Sequence, residues 1–148
     1  MFKKNKKNQG VSLIEIMLVI SIIGLILVIE APNLKSYSNN LILKSATQDL
    51  ASNLRYAQQL TVTEQRIYNI TLDQINNSYT IVLEPSTIIK TVYLPDNISF
   101  SSITDLTDNK VVFNFMGAVS QSGTITISHS QNFTKTIYIR PSGYIETN

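Results

Sequence analysis

The stretch MFKKNKKNQGVSLIEIMLVISIIGLILVIEAP, residues 1–32, decides the fold of this chain. Four lysines within residues 1–10 precede nineteen residues, 11–29, that are apolar except for two serines, one glutamate and one glycine. In a secretory signal the small-residue cleavage site follows the apolar region, so that region is removed. Here the small-residue junction Gly10–Val11 precedes the apolar region. Cleavage at this junction would leave the apolar helix on the mature chain.

The length and the flanking charges of this region predict a single membrane crossing. A helix of residues 11–29 would span roughly 28 Å, close to the ~30 Å hydrocarbon core of a bilayer. Because the lysines flank only its N-terminal side, residues 1–10 are expected in the cytoplasm and the chain beyond Pro32 outside the cytoplasmic (inner) membrane. A plain signal anchor has the same topology. A cleaved secretory signal is disfavoured, because Glu30-Ala31-Pro32 is a poor cleavage site.

The order of these parts resembles the class III leader of type IV pilins and pseudopilins. The matching positions are the glycine Gly10, the core Leu13-Ile14-Glu15, Gly24 within the helix and Pro32 at the end of the membrane portion. Val11 departs from the family, which usually has Phe or Met at that place. The resemblance implies cleavage between Gly10 and Val11 by a prepilin peptidase, followed by N-methylation of Val11.

Glu15 distinguishes a filament subunit from a plain anchor. A carboxylate inside a membrane segment costs about 3 kcal/mol and is retained mainly where it has a partner or a task. Cleavage after Gly10 would free an α-amino group on Val11, four residues away. The Glu15 carboxylate of a neighbouring subunit can meet that ammonium, so that two buried charges neutralise each other. The pair indicates assembly in register rather than catalysis.

Beyond Pro32 the sequence first keeps the period of a helix. Apolar or small residues recur at spacings of three and four, which predicts an amphipathic helix to about Thr63. Pro32 predicts a kink or short break near Ala31, and Gly24 is a second candidate kink. The predicted apolar stripe consists of Leu34, Tyr37, Leu41, Leu43, Ala46, Leu50, Leu54, Ala57 and Leu60.

From Arg66 onward the period changes to two and β-branched residues dominate, which predicts about seven short strands. The fold class is therefore α+β, with a long N-terminal helix packed on antiparallel sheet. We expect a leader at 1–10, a transmembrane and filament-core helix at 11–31 and an extracytoplasmic domain at 32–148. The candidate strands are Tyr68–Leu72, Tyr79–Leu83, Thr87–Leu94, Ile98–Ser102, Val111–Phe115, Thr124–Ser128 and Thr136–Arg140, with a last short one at Tyr144–Glu146.

The C-terminal third has glycine-spaced strand patterns, among them Gly123-Thr-Ile-Thr-Ile and Ser142-Gly143-Tyr-Ile. These patterns resemble the GspH/FimT type of minor pseudopilin. The resemblance implies a pilin-like subunit, near the tip of a type II secretion pseudopilus or a type IV pilus. Its implied partners are other pilin or pseudopilin subunits and the inner-membrane assembly platform.

The alternative is a membrane-anchored module that binds a ligand or DNA in a competence or adhesion system. Processing separates the two hypotheses, because a plain anchor keeps residues 1–10. Relatives of the FimT kind that take up DNA use basic residues near the C-terminus. This chain has Arg140 and the acidic Glu146 there, so a nucleic-acid partner is not expected.

Composition disfavours several other classes. Without the four lysines of residues 1–10, the chain has 8 basic and 10 acidic side chains instead of 12 and 10, so it lacks the bulk charge of a nucleic-acid binder. It has no cysteine and one histidine, His129, which we expect at the surface. Asp105, Asp108 and Asn109 lack the spacing of a calcium loop and are expected to be a solvated turn. No catalytic or cofactor motif is present, so we expect a non-enzyme without cofactor or metal.

Overall fold

The computed structural model describes residues 11–148, and for 29–33 it describes the backbone alone. The chain divides after Ser38 into two compact units. In the described part, one long helix, α1 (Leu13–Glu64), is followed by two four-stranded antiparallel sheets. The predicted α+β class is therefore confirmed.

The helix α1 continues through Gly24 and Pro32 without interruption. The predicted break near Ala31 is therefore wrong. A proline removes one backbone donor and one intrahelical hydrogen bond, and the helical turns on both sides hold the backbone across that gap. A bend of the helix axis at either residue stays a prediction. The helix ends at Glu64, one residue after its predicted end, where Gln65 takes a positive φ of 53°.

Eight strands lie between Tyr68 and Thr147, one for each of the eight candidate segments named from the sequence. Their bounds are β1 (Tyr68–Asp73), β2 (Ser78–Leu83), β3 (Thr87–Tyr93), β4 (Ile98–Thr104), β5 (Lys110–Val112), β6 (Gly123–His129), β7 (Thr134–Ile139) and β8 (Ile145–Thr147). A short 3₁₀ turn at Thr107–Asn109 precedes β5. The predicted strand Val111–Phe115 is shorter than expected, because Phe113 forms only an isolated bridge with Val119.

The chain passes from the first sheet to the second and back before it completes the second. The first sheet has the order β3-β2-β1-β5, and the second has the order β4-β6-β7-β8. β4 therefore starts the second sheet, and β5 returns to the first to pair with β1 through Ile70 and Val111. Neighbouring strands in each sheet are antiparallel.

The core lies within residues 39–148, where α1 and the inner faces of both sheets bury their apolar side chains together. On the helix the fully or nearly fully buried apolar residues are Leu43, Ala46, Leu50, Ala51, Leu54 and Ala57. The predicted stripe is confirmed from Leu43 onward and wrong before it, because Leu34, Tyr37 and Leu41 are exposed. In the described chain, no buried side-chain nitrogen or oxygen lacks a hydrogen-bond partner.

Polar side chains of α1 bind each sheet at a defined position. Asn53 donates a hydrogen bond to the Tyr79 hydroxyl of the first sheet at 2.8 Å. Burial raises the pKa of Tyr79 to about 12, and the Asn53 hydrogen bond opposes this rise. Arg55 donates to the Ile145 carbonyl of the second sheet at 2.9 Å. These contacts fix the helix against both sheets.

Leu50→Asp tests this core in a fragment that lacks residues 1–32, which we expect to fold by itself. Leu50 is fully buried, so the substitution places an unpaired charge between helix and sheets. We expect a loss of about 4–5 kcal/mol or more, enough to abolish the cooperative thermal transition followed by circular dichroism. The matched control is Leu41→Asp, because Leu41 is exposed on the same helix. If the two variants had the same thermal transition, the placement of Leu50 in the core would be contradicted.

Candidate functional site

The candidate site is the apolar segment, defined as residues 11–28 at the N-terminal end of the described chain. Every side chain in it is exposed, including Leu13 at 80% and Val28 at 76% of full exposure. Contiguous apolar surface of this extent in a protein marks an interaction site with other protein or with lipid. None of the described residues covers this segment, so its burial requires a partner from outside them.

Within the described residues, no helical stretch has both the length and the hydropathy that a membrane crossing requires.

Several sequence predictions lie outside the described residues. Gly10 is not described, and neither are the side chains of residues 29–33, which include Pro32. The leader at 1–10, cleavage after Gly10 and the transmembrane role of 11–31 stay predictions.

Glu15 lies in the first turn of α1. The Ser12 carbonyl oxygen accepts hydrogen bonds from the backbone N–H groups of Glu15 and Ile16, at 3.1 and 3.3 Å, and so begins the helix. A carboxylate in the first turn is favoured by the positive end of the helix dipole. The ion pair found among the described residues is Arg140–Glu146, so Glu15 has no ionic partner there.

The structure brings Val11 and Glu15 to the same end of the helix. Val11 lies two residues before the first helical residue, Leu13, and its side chain is 66% exposed. Both groups are therefore at the exposed end of the helix, where groups of a neighbouring subunit can reach them. The pairing between subunits stays a prediction.

Gly24 leaves a gap in the surface of the apolar segment. A Cβ placed there would meet no atom within 4 Å, so another backbone can approach the helix closely at this point. Ser21, one turn earlier, donates its hydroxyl to the Met17 carbonyl at 2.8 Å. Because its hydrogen is already used within the helix, Ser21 adds little polarity to this face.

A second cluster, in the domain, was not found from the sequence. Gln58 of α1 donates hydrogen bonds to the carbonyl oxygens of Gly117 and Gly143 and so joins two loops of the sheets to the helix. Both glycines have positive φ, 83° and 81°. The sequence marked them as strand breakers, but nothing in their spacing shows that one glutamine holds both.

His129 is buried, with 6% of its surface exposed, so its predicted surface position is wrong. The loop after β6 folds back over the ring. The backbone N–H of Gln131 donates to Nδ1 of His129 at 3.1 Å, and Phe133 contacts the ring edge-on at a centroid distance of 6.5 Å. Asp105 and Asp108 are exposed in turns with positive φ. The described residues hold no group of three potential metal-binding side chains of the His, Cys, Asp or Glu type.

Comparison with known proteins agrees with this fold. Residues 46–143 match the family model described as type II transport protein GspH, and residues 5–29 match the prokaryotic N-terminal methylation motif. The structure is similar to that of the type IV minor pilin FimU of Pseudomonas aeruginosa, with 17% identity, a TM-score of 0.61 and coverage of 76% of this chain and 92% of the other.

The minor pseudopilin EpsH from the type 2 secretion system of Vibrio cholerae is similar as well, with 9% identity, a TM-score of 0.61 and coverage of 72% of this chain and 95% of the other. No curated protein sequence is significantly similar to the chain. A long helix packed on antiparallel sheets, with a methylation motif at its start, defines a pilin-like protein. The chain belongs to the GspH family and is a minor pilin or pseudopilin.

Gly143→Ala tests the cluster around Gln58. A Cβ at Gly143 would overlap the Gly117 carbonyl oxygen and crowd the Gln58 amide, and the positive φ of 81° is strained for alanine. We expect a loss of more than about 2 kcal/mol in the free energy of unfolding, measured with urea. The control is Ser142→Ala, because Ser142 is the exposed neighbour. Stability equal to that of this control would show that the cluster does not hold the helix to the loops.

Proposed function

We propose that the chain is an assembling subunit whose apolar segment becomes buried against other pilin-type subunits. One observation carries the proposal: the segment is exposed along its whole length, while the same helix from Leu43 onward packs into a closed core. At roughly 25 cal/mol per Å² of apolar surface removed from water, covering such a segment strongly favours association. The role is structural, because the segment offers apolar area and one charge.

Before assembly, the segment is held in the cytoplasmic membrane. The four lysines before Val11 favour a cytoplasmic position for residues 1–10, and the domain that follows is then outside. Lipid surrounds the apolar segment until assembly, when neighbouring subunits of the filament replace the lipid. The match of residues 5–29 to the methylation motif supports this order of events.

The pairing of the Glu15 carboxylate with the Val11 amine sets the axial register between neighbouring subunits. Burial of the Glu15 carboxylate is unfavourable unless a cation meets it. The amine that processing frees on Val11 of an adjacent subunit supplies that cation, and only one axial offset between two helices brings the groups together. Gly24 contributes a place for close approach of a neighbouring helix.

The matched family is described as type II transport, and this favours a secretion pseudopilus as the filament. The subunit then works with a prepilin peptidase, the major subunit of the filament and an inner-membrane assembly platform. A minor subunit near the tip has neighbouring subunits on one side only, and its single apolar segment can contact them.

Processing is the first test. Mass spectrometry of the membrane-extracted protein should find an N-terminus at Val11, with one added methyl group. Gly10→Leu should leave the precursor intact and out of the filament, because the bulky side chain blocks the peptidase. Gln9→Ala serves as the control, since it leaves the Gly10–Val11 junction unchanged. An N-terminus at Met1 in the wild type would favour the plain anchor.

Assembly is the second test. Glu15→Gln should be inserted and processed, yet its share in sheared filaments relative to the membrane pool should fall by about two orders of magnitude. Breaking a buried charge pair from one side costs about 3–5 kcal/mol. Asp96→Asn removes one exposed carboxylate from the domain and is the matched control. Equal incorporation of Glu15→Gln and wild type would reject Glu15 as an assembly residue.

A further inference from the structure

The outer face of the second sheet is an array of hydroxyl groups. Most of its inward positions are isoleucines, and its outward positions on β4, β6 and β7 are serine, threonine or tyrosine. Strand register aligns them in three rows, which are Ser99–Ser128–Thr134, Ser102–Thr126–Thr136 and Thr104–Thr124–Tyr138. We call this surface the hydroxyl face.

The hydroxyl groups have capacity left for a ligand. The Ser99 and Ser128 oxygens are 3.4 Å apart, and those of Thr126 and Thr136 are 3.5 Å apart. Good O–H···O hydrogen bonds are near 2.7–2.8 Å, so these contacts are weak. Each hydroxyl can still donate one hydrogen bond and accept others. A ligand for such a surface needs both donors and acceptors at short intervals.

One end of the hydroxyl face contains a cavity of about 190 Å³. Tyr138, Thr124, Arg140 and Asp105 are among the residues that line it. Drug-sized ligands occupy pockets of roughly 300–1,000 Å³, so this cavity suits a single small ring. Gly123 also lines the cavity, and a Cβ there would collide with Leu106 and with the Thr104 carbonyl.

An arginine with its ion-pair partner lies beside an aromatic ring at this cavity. The Arg140 guanidinium lies 5.7 Å from the centroid of the Tyr138 ring and pairs with Glu146 at 2.9 Å. Tyr138 offers apolar ring surface and a hydroxyl together. The Asp105 carboxylate and the Arg140 guanidinium can accept and donate paired hydrogen bonds, respectively.

The charge of the site favours a neutral ligand. Arg140 pairs with Glu146, and Asp105 is a second carboxylate in the cavity lining. β4 and β6 contain no lysine or arginine, and Lys135 of β7 is opposite the buried Ile127, away from the hydroxyl rows. Binding of single-stranded nucleic acid needs a positively charged groove along the backbone, and this face lacks one. Phosphate-containing ligands are therefore disfavoured, and neutral molecules with many hydroxyl groups remain.

We propose that the hydroxyl face binds a neutral glycan. One sugar ring occupies the cavity, with its C–H surface against Tyr138 and its hydroxyls bonded to Asp105 and Arg140. The following sugars run along the hydroxyl rows and exchange hydrogen bonds with Thr124, Thr126 and their neighbours. This binding function is separate from the apolar segment and does not depend on the assembly that the segment supports.

Calorimetry on the full chain tests the proposal, in a detergent without a sugar headgroup. The probes are maltohexaose, cellotetraose and chitohexaose as neutral glycans, with a thymidine oligonucleotide and polygalacturonate as anionic competitors. We expect saturable binding of at least one neutral glycan at millimolar concentration or below. Tyr138→Ala should weaken it at least about tenfold, and Thr124→Val about threefold to tenfold, the loss of one hydrogen bond.

Two controls give the test its specificity. Tyr138→Phe keeps the ring and should retain most of the binding. Tyr93→Ala removes an exposed tyrosine from the first sheet and should change nothing. If Tyr138→Ala proves unfolded, Thr124→Val decides, because it is nearly isosteric and suits a strand. Failure of all three neutral glycans to bind would overturn the proposal, as would stronger binding of either anionic probe or unchanged binding by a folded Tyr138→Ala or by Thr124→Val.

Discussion

Removal of apolar surface from water is the constraint on which the rest of this structure depends, and the helix α1 meets it in two ways. From Leu43 onward its apolar side chains are buried against the chain's own sheets. Along residues 11–28 the equally apolar side chains are exposed. The first stretch is buried within the folded domain, and the second is left for contacts with neighbouring subunits. Because hydrophobic attraction has no direction, we propose that the Glu15 charge gives this association its register.

Local patterns in the sequence were sufficient for much of the fold. The spacing of apolar residues changes from three or four to two after Arg66, and this change marks the end of the helix and the start of the strands. The alternating pattern predicted the bounds of most strands to within two residues. The junction at Gly10–Val11 and the acidic Glu15 identified the family, and the family model agrees. These features are readable because each depends on residues that are close together in the chain.

The remaining features depend on contacts between distant residues. A stripe shows which residues share a helix face, but not where the opposing sheet begins, so Leu34, Tyr37 and Leu41 were assigned wrongly to the core. His129 was placed at the surface, because a strand end does not reveal that Phe133 folds back onto it. Gln58 reaches Gly143 across 85 positions of the sequence, and no local signal marks such a contact.

Site-specific labelling tests the central claim most directly, because the natural chain contains no cysteine. Single substitutions Met17→Cys and Met116→Cys place one thiol in the apolar segment and one on the domain, where Met116 is 93% exposed. In sheared, membrane-free filaments, a maleimide reagent should label position 116 readily and leave position 17 unmodified until the filaments are dissociated. Equal labelling of both positions in intact filaments would contradict the account, because the apolar segment would then remain exposed after assembly.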